Sequence, residues 1–204
     1  MTKVPYYYYT DGSVQEVNGS LVGTAGFGYY VMDIEGRSLK LGDSIFHGIP
    51  DIDYLETVAI LEAVKHAFTI GSTTIYIYSD SMIAIRSIKA LLKAYYNKAK
   101  LPKWYTKEVL TLQESTAIDT AQHIIHYQDT FAAYVGINWV KGHCDSVTQY
   151  NTQRSYRNNI SFKQCHDMTR GNDDIDARCK AFVKLPDGVD KNIIIPPPFY
   201  IKNF

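Results

Sequence analysis

The run Tyr6-Tyr7-Tyr8-Tyr9-Thr10-Asp11-Gly12-Ser13 constrains the fold more than any other stretch of the chain. Four aromatic residues of high strand propensity lead into one carboxylate, and glycine follows at once. Strand side chains alternate between faces. A run that is apolar on both sides therefore predicts a central strand in a sheet covered on both faces. An Asp in such a strand is costly to bury unless its charge is compensated. A bound cation is one compensation; a turn or cap role for Asp-Gly-Ser is the other reading.

At 204 residues, 46% hydrophobic and 21% charged, the chain suits one soluble globular domain with decorations. Its 21 basic and 21 acidic residues cancel, so any affinity for a polyanion must come from a local patch. No apolar run approaches the roughly 20 residues of a membrane span, so no membrane association is expected. The N-terminus lacks the apolar segment of a secretion signal. Three cysteines fit a reducing compartment, and the expected location is cytoplasmic.

Residues 5–10 read as a first strand and residues 12–23 as a loop rich in Gly, Ser and Asn. Residues 24–33 and 38–46 read as two more strands around a turn at Glu35-Gly36, completing an antiparallel meander. A helix over residues 55–68 follows, capped by Asp51 or Asp53. Glu56 shares its face with Ile60, Ala63 and Ala67, which should look at the sheet. A first-turn Glu favoured by the helix dipole is equally consistent. Residues 74–79 form a compact strand ending at Asp80. That residue is either the N-cap of the next helix or a ligand-binding group at a strand end.

Between residues 81 and 107 the chain carries Arg86, Lys89, Lys93, Lys98, Lys100, Lys103 and Lys107 without one acidic residue. Tyr95, Tyr96, Trp104 and Tyr105 are interleaved. A solvated helix face would look like this, and so would a surface for a polyanion with stackable groups. Residues 108–134 read as helical with a break near Asp129, and residues 136–140 as a strand running into Lys141-Gly142-His143. Residues 144–170 read as a polar excursion carrying Arg154, Arg157, Lys163 and Arg170. Gly171-Asn172 is expected to open a last helix. From Pro186 the chain reads as an extended arm or flexible tail. The expected division is a domain over residues 1–184, with an insertion at about 144–170, and a tail over residues 185–204. Cys144, Cys165, His166 and Cys179 match no compact zinc-ligand spacing.

Five pieces in this order resemble the ribonuclease H superfamily, and closely its type 1 enzymes. They are Thr10-Asp11-Gly12-Ser13, Leu55-Glu56, Ser79-Asp80-Ser81, Trp139-Val140-Lys141-Gly142-His143, and Gly171-Asn172 through Asp176. The resemblance covers about residues 5–184. It implies an α/β fold whose five-stranded mixed sheet, three antiparallel strands then two parallel, is flanked by helices. It implies an endoribonuclease hydrolysing the RNA strand of RNA–DNA hybrids with two Mg²⁺ ions, for which Mn²⁺ substitutes. Asp11, Glu56, Asp80 and Asp176 match the metal-binding carboxylates, with Asp173 and Asp174 as solvated neighbours of the last. His143 matches a mobile histidine that assists proton transfer or product departure. Gly12, Ser13, Asn18 and Asn172 would contact substrate, as would Lys98, Lys100, Lys103 and Trp104 in a basic protrusion. The host would be a bacterium or a virus-infected cell.

The chain also departs from the family. Asp51-Ile52-Asp53-Tyr54 and Met82 stand where the family grips the RNA strand, and the stretch from His143 to Asp176 is longer by about 20 residues. A related nuclease acting on branched DNA or double-stranded RNA is therefore an alternative, as is a hybrid-binding module without catalysis. The Ile193–Tyr200 stretch would dock on a replication protein as an extended peptide, or pack on its own domain.

Overall fold

A computed structural model describes residues 4–32, 38–48, 50–156 and 161–182. Strand β1 (Tyr6–Val17) pairs antiparallel with β2 (Ser20–Met32), which pairs antiparallel with β3 (Ser38–Gly48). Helix α1 (Ile52–Thr69) crosses to β4 (Thr74–Ser79), and α2 (Met82–Asn97) and α3 (Leu112–Phe131) lead to β5 (Tyr134–Trp139). A short 3₁₀ turn at Lys103–Thr106 links α2 to α3. Helices α4 (Ser146–Ser155) and α5 (Phe162–Phe182) follow. The sheet order is β3-β2-β1-β4-β5, with β1/β4 and β4/β5 parallel. This is the expected mixed sheet, with the tyrosine strand at its centre.

Alternation along β1 decides which layer each tyrosine meets. Tyr8 joins Phe27, Tyr29, Ile75 and Ile77 in the main core, under α1, α2 and α3. Tyr9 turns to the opposite face, where Ile175 and Cys179 of α5 cover it and Tyr7, Tyr30 and Tyr78 pack alongside. Gly171 makes that second layer possible, because a Cβ there would lie 2.5 Å from the Tyr9 ring. It sits inside α5 rather than opening it, contrary to the sequence expectation. Glycine serves close packing here, at a helix-propensity cost of about 1 kcal/mol.

The loop expected at residues 12–23 is instead a hairpin. β1 runs unbroken to Val17, and Asn18 (φ 51°) and Gly19 (φ 77°) form a two-residue turn before Ser20. Asn-Gly readily adopts the left-handed conformations such a turn requires, and this local preference overrides the polar composition. The expected break near Asp129 is also absent. Asp129 lies within α3 and accepts hydrogen bonds from the Tyr95 and Tyr96 hydroxyls at 2.9 and 3.2 Å, tying α3 to α2. The polar excursion after His143 contains α4 and the first turns of α5. Arg157, the Glu35-Gly36 turn and the whole C-terminal tail lie outside the described residues. Among the described residues no helix is long and apolar enough to cross a membrane.

Candidate metal centre

Strand register brings the first two carboxylates together. The last β1/β4 pair is Tyr9↔Tyr78, so Asp11 on β1 and Asp80, just past the end of β4, each stand two residues beyond it and side by side. The second turn of α1 brings Glu56 to the same place; the acidic residue of its first turn is Asp53, not Glu56. One oxygen from each of Asp11, Glu56 and Asp80 lies within 4.8 Å of the others. Gly12 permits this seat: a Cβ there would lie 2.8 Å from the Glu56 backbone nitrogen and 3.0 Å from the Leu55 Cβ.

The capping roles open to these carboxylates are taken by other residues. Asp51 caps α1, accepting from the Tyr54 amide at 3.2 Å. Ser81 caps α2, accepting from the Ala84 amide at 3.2 Å. Glu56 and Asp80 are thus left to the site. Asn172, buried within α5, lies beside the Asp80 carboxylate and favours its charged form. Gly142 approaches Asp80 from the loop after β5, so closely that a Cβ would overlap the carboxylate.

Asp11 and Glu56 are 5% and 7% exposed, and Asp11 Oδ2 and Glu56 Oε2 are buried without a hydrogen-bond partner. Burial, reinforced by the charges of Asp80 and Asp176, pushes the Asp11 carboxyl up to about 8. Burial and then the Asp11 and Asp80 charges push Glu56 well above the usual carboxylate range. Burial also raises Asp80, against opposing contributions that include Asn172 and His143. Three converging carboxylates, two of them with an orphaned oxygen, are the donor set of a hard divalent cation, and these residues fit Mg²⁺ or Mn²⁺. Among the described residues they are the one acidic or Cys/His group so assembled. The three cysteines are free thiols, and with His166 they form no such cluster.

Asp176 lies close enough for its charge to raise both Asp11 and Asp80, yet it is not part of the three-oxygen cluster. Lys180, one turn further along α5, holds its carboxylate at 2.7 Å. Asp173 is exposed. Asp174 is not simply solvated, as expected, but accepts from the Tyr30 hydroxyl at 3.3 Å and pairs with Arg178 at 3.5 Å. His143 is exposed, with φ 49°, and its charge reaches Asp80.

The substrate-contact candidates divide. Gly12, Ser13 and Asn172 are buried. Asn18 is at the hairpin tip, roughly 23 Å along the strand from Asp11 at 3.3 Å per residue. Lys98, Lys100 and Lys103 are exposed, whereas Trp104 is partly buried against the core. Lys107 is engaged by Glu114 at 2.6 Å. Gly142 and Lys180 are site residues that the sequence reading does not name as such. Their signals were adjacency to His143 and a four-residue step from Asp176.

The solution structure of the PFV RNase H domain resembles this chain with a TM-score of 0.57 at 17% identity, over 89% of this chain and 97% of that one. The native prototype foamy virus protease–reverse transcriptase matches at 18% identity and a TM-score of 0.52, over 83% of this chain and 21% of that one. LC9-RNase H1, described as a type 1 RNase H with the type 2 active-site motif, matches at 16% identity and a TM-score of 0.52, over 76% and 71% of the two chains. These likenesses concern the fold. No curated protein is a significant match. The RNase H family profile matches residues 4–154, which carry Asp11, Glu56, Asp80 and His143, while Asp176 lies beyond the matched span. With most of its length matched, the chain belongs to the RNase H family.

Proposed function

We propose that this protein is a divalent-metal-dependent endoribonuclease hydrolysing the RNA strand of RNA–DNA hybrids. The observation that carries the reading is the buried Asp11–Glu56–Asp80 cluster with its two orphaned oxygens, in a chain of this family. Asp11, Glu56 and Asp80 would hold Mg²⁺, and Asp176 would join them once Lys180 releases it. When bound, a pair of divalent ions supplies an activated water and stabilisation of the leaving oxygen. Water adds to phosphorus, the bond to the leaving ribose oxygen breaks, and that oxygen takes up a proton. His143, exposed beside Asp80, is the group able to carry that proton. Asn172 favours the charged form of Asp80. Lys98, Lys100 and Lys103, with Tyr95 and Tyr96 exposed nearby, offer a one-signed surface to the hybrid's phosphates.

A second reading, cleavage of branched DNA or double-stranded RNA, is favoured by one observation. The Asp51 side chain stands where the family grips RNA and is committed to capping α1. The deciding experiment uses one labelled RNA strand, paired with DNA, paired with RNA, or alone, with Mg²⁺ or chelator, beside Asp80→Asn. Cutting of the hybrid alone, dependent on metal and on Asp80, is the expected result. Inactivity of folded protein on the hybrid, with cutting of duplex RNA or of branched DNA tested alongside, would shift the assignment to the second reading.

A further inference from the structure

Helix α4 is polar along its length, yet two of its glutamines are among the most buried polar residues of the protein. Gln149 is 0% exposed and Gln153 3%. They stand four residues apart, on one face of the helix. Burying an amide is costly unless its polar atoms are used, and each glutamine spends one polar atom on the segment that carries His143, while Gln149 Nε2 is left buried without a partner. Gln149 Oε1 accepts from the Lys141 backbone N–H at 3.0 Å and from the Cys144 thiol at 3.6 Å. Gln153 Nε2 donates to the Trp139 carbonyl at 3.0 Å. The ladder of β5 continues only as far as the Val140 amide, which donates to the Ser79 carbonyl at 3.0 Å. Beyond it the two glutamines take over, gripping the chain on both sides of Gly142-His143. Asp145 fixes the near end of α4 by accepting from the Thr148 amide at 2.6 Å.

We infer that α4 is a splint for the His143 loop, and that Gln149 and Gln153 are positioning residues for proton transfer at the metal centre. This rests on the hybrid-cleavage reading above and assigns a task to the inserted segment. His143 is a non-glycine residue in the left-handed region, a conformation that persists only where its surroundings hold it. Its loop also carries Gly142 against the Asp80 carboxylate. A loop held at Lys141 and Cys144 presents the imidazole to the carboxylates in one place, where an unbraced loop would sample many.

The test is a double-mutant cycle on hybrid cleavage with Gln149→Met, which keeps side-chain volume and removes the acceptor. His143→Ala is expected to lower kcat about 100-fold, the low end for a lost proton-transfer group. Gln149→Met is expected to lower kcat about tenfold, with KM within about twofold, as a small misplacement does. The double variant should be no slower than His143→Ala alone. Amide exchange at Lys141 should accelerate in Gln149→Met while the melting temperature of the core is kept. Should Gln149→Met not fold, Gln153→Met releases the loop at Trp139 and carries the same cycle. A wild-type kcat in the folded glutamine variant, or losses that multiply in the double variant, would overturn the splint. A silent His143→Ala, with the hybrid still cut, would overturn the proton-transfer role and the splint with it. Absence of hybrid cleavage in the wild type would instead defeat the proposed function.

Discussion

Replacing Asp11 by Asn should make the metal-free protein more stable at neutral pH, although it removes a residue from the heart of the site. An Asp in the unfolded chain ionises near 3.8, and in the fold Asp11 is pushed up to about 8. The folded state therefore holds a proton that the unfolded state releases. The sign follows: this residue does not weaken the fold below pH 4, and its cost grows as pH rises until the folded carboxyl itself ionises near pH 8. At pH 7 the unfolded carboxyl is about three pH units above its pKa. At about 1.4 kcal/mol per unit, the fold gives up about 4 kcal/mol. Asn is neutral throughout, and its amide can donate to the orphaned Glu56 oxygen. The assay is urea unfolding in chelator from pH 4 to 8.5, followed by the fluorescence of Trp104 and Trp139. The two proteins should agree within about 1 kcal/mol at pH 4 and diverge in favour of Asp11→Asn by up to about 4 kcal/mol at pH 7. In a domain of this size that is roughly 8–16 °C in melting temperature. Adding Mg²⁺ should stabilise the wild type far more than the variant. Parallel pH profiles, or a wild type that is the more stable at pH 8 in chelator, would refute the reading of an electrostatically frustrated site.

Gly12→Ala should destabilise the fold by about 2 kcal/mol, because the new Cβ meets backbone at Glu56 that cannot swing aside. Its Mg²⁺-induced melting shift should also shrink, measured by calorimetry with and without metal. Asn18→Ala should cost about 1 kcal/mol for a left-handed residue without Asn's tolerance, and should leave KM for hybrid within about twofold, since the hairpin tip is far from Asp11. Lys180→Met should lower stability in chelator by leaving Asp176 unpaired beside Asp11 and Asp80, and should enlarge the melting shift on Mg²⁺ addition. Equal metal-induced shifts in Lys180→Met and wild type would exclude Lys180 as the resident counter-charge of the site.

Much of the fold was legible because it follows from alternation and period. The tyrosine run does lie at the centre of a sheet covered on both faces, and the helix over residues 52–69 lies where apolar spacing predicts it. Residues 12–23 form a hairpin where their polar composition predicts a loop, because the Asn-Gly turn signal acts through allowed φ values rather than hydrophobicity. Asp129 was misread as a breaker because its two tyrosine partners lie 33 and 34 residues away, and no local pattern announces them. For the same reason the burial of Gln149 and Gln153 could not be foreseen. A polar helix facing a strand end looks identical in sequence to one facing water.

The site divides along the same line. Asp11 and Asp80 are adjacent because two parallel strands share a register, and Glu56 joins them because a glycine lets one helix turn sit on β1. Those relations are built from short-range rules, so three carboxylates in suitable elements could be assigned to one place from sequence. Asp176 depends on where an entire helix lies. That placement is set by Gly171 against Tyr9 and by Asn172 against Asp80, contacts between segments more than 90 residues apart in sequence. Even then the charge of Asp176 is answered by Lys180, on its own helix, and not by the cluster. Three carboxylates are fixed by the sheet and its first helix, whereas the fourth is held in an exchangeable pair. On the proposed reading, the site can therefore be assembled for one cation, and Asp176 would join it only by breaking its exposed pair with Lys180, the weakest link among these contacts.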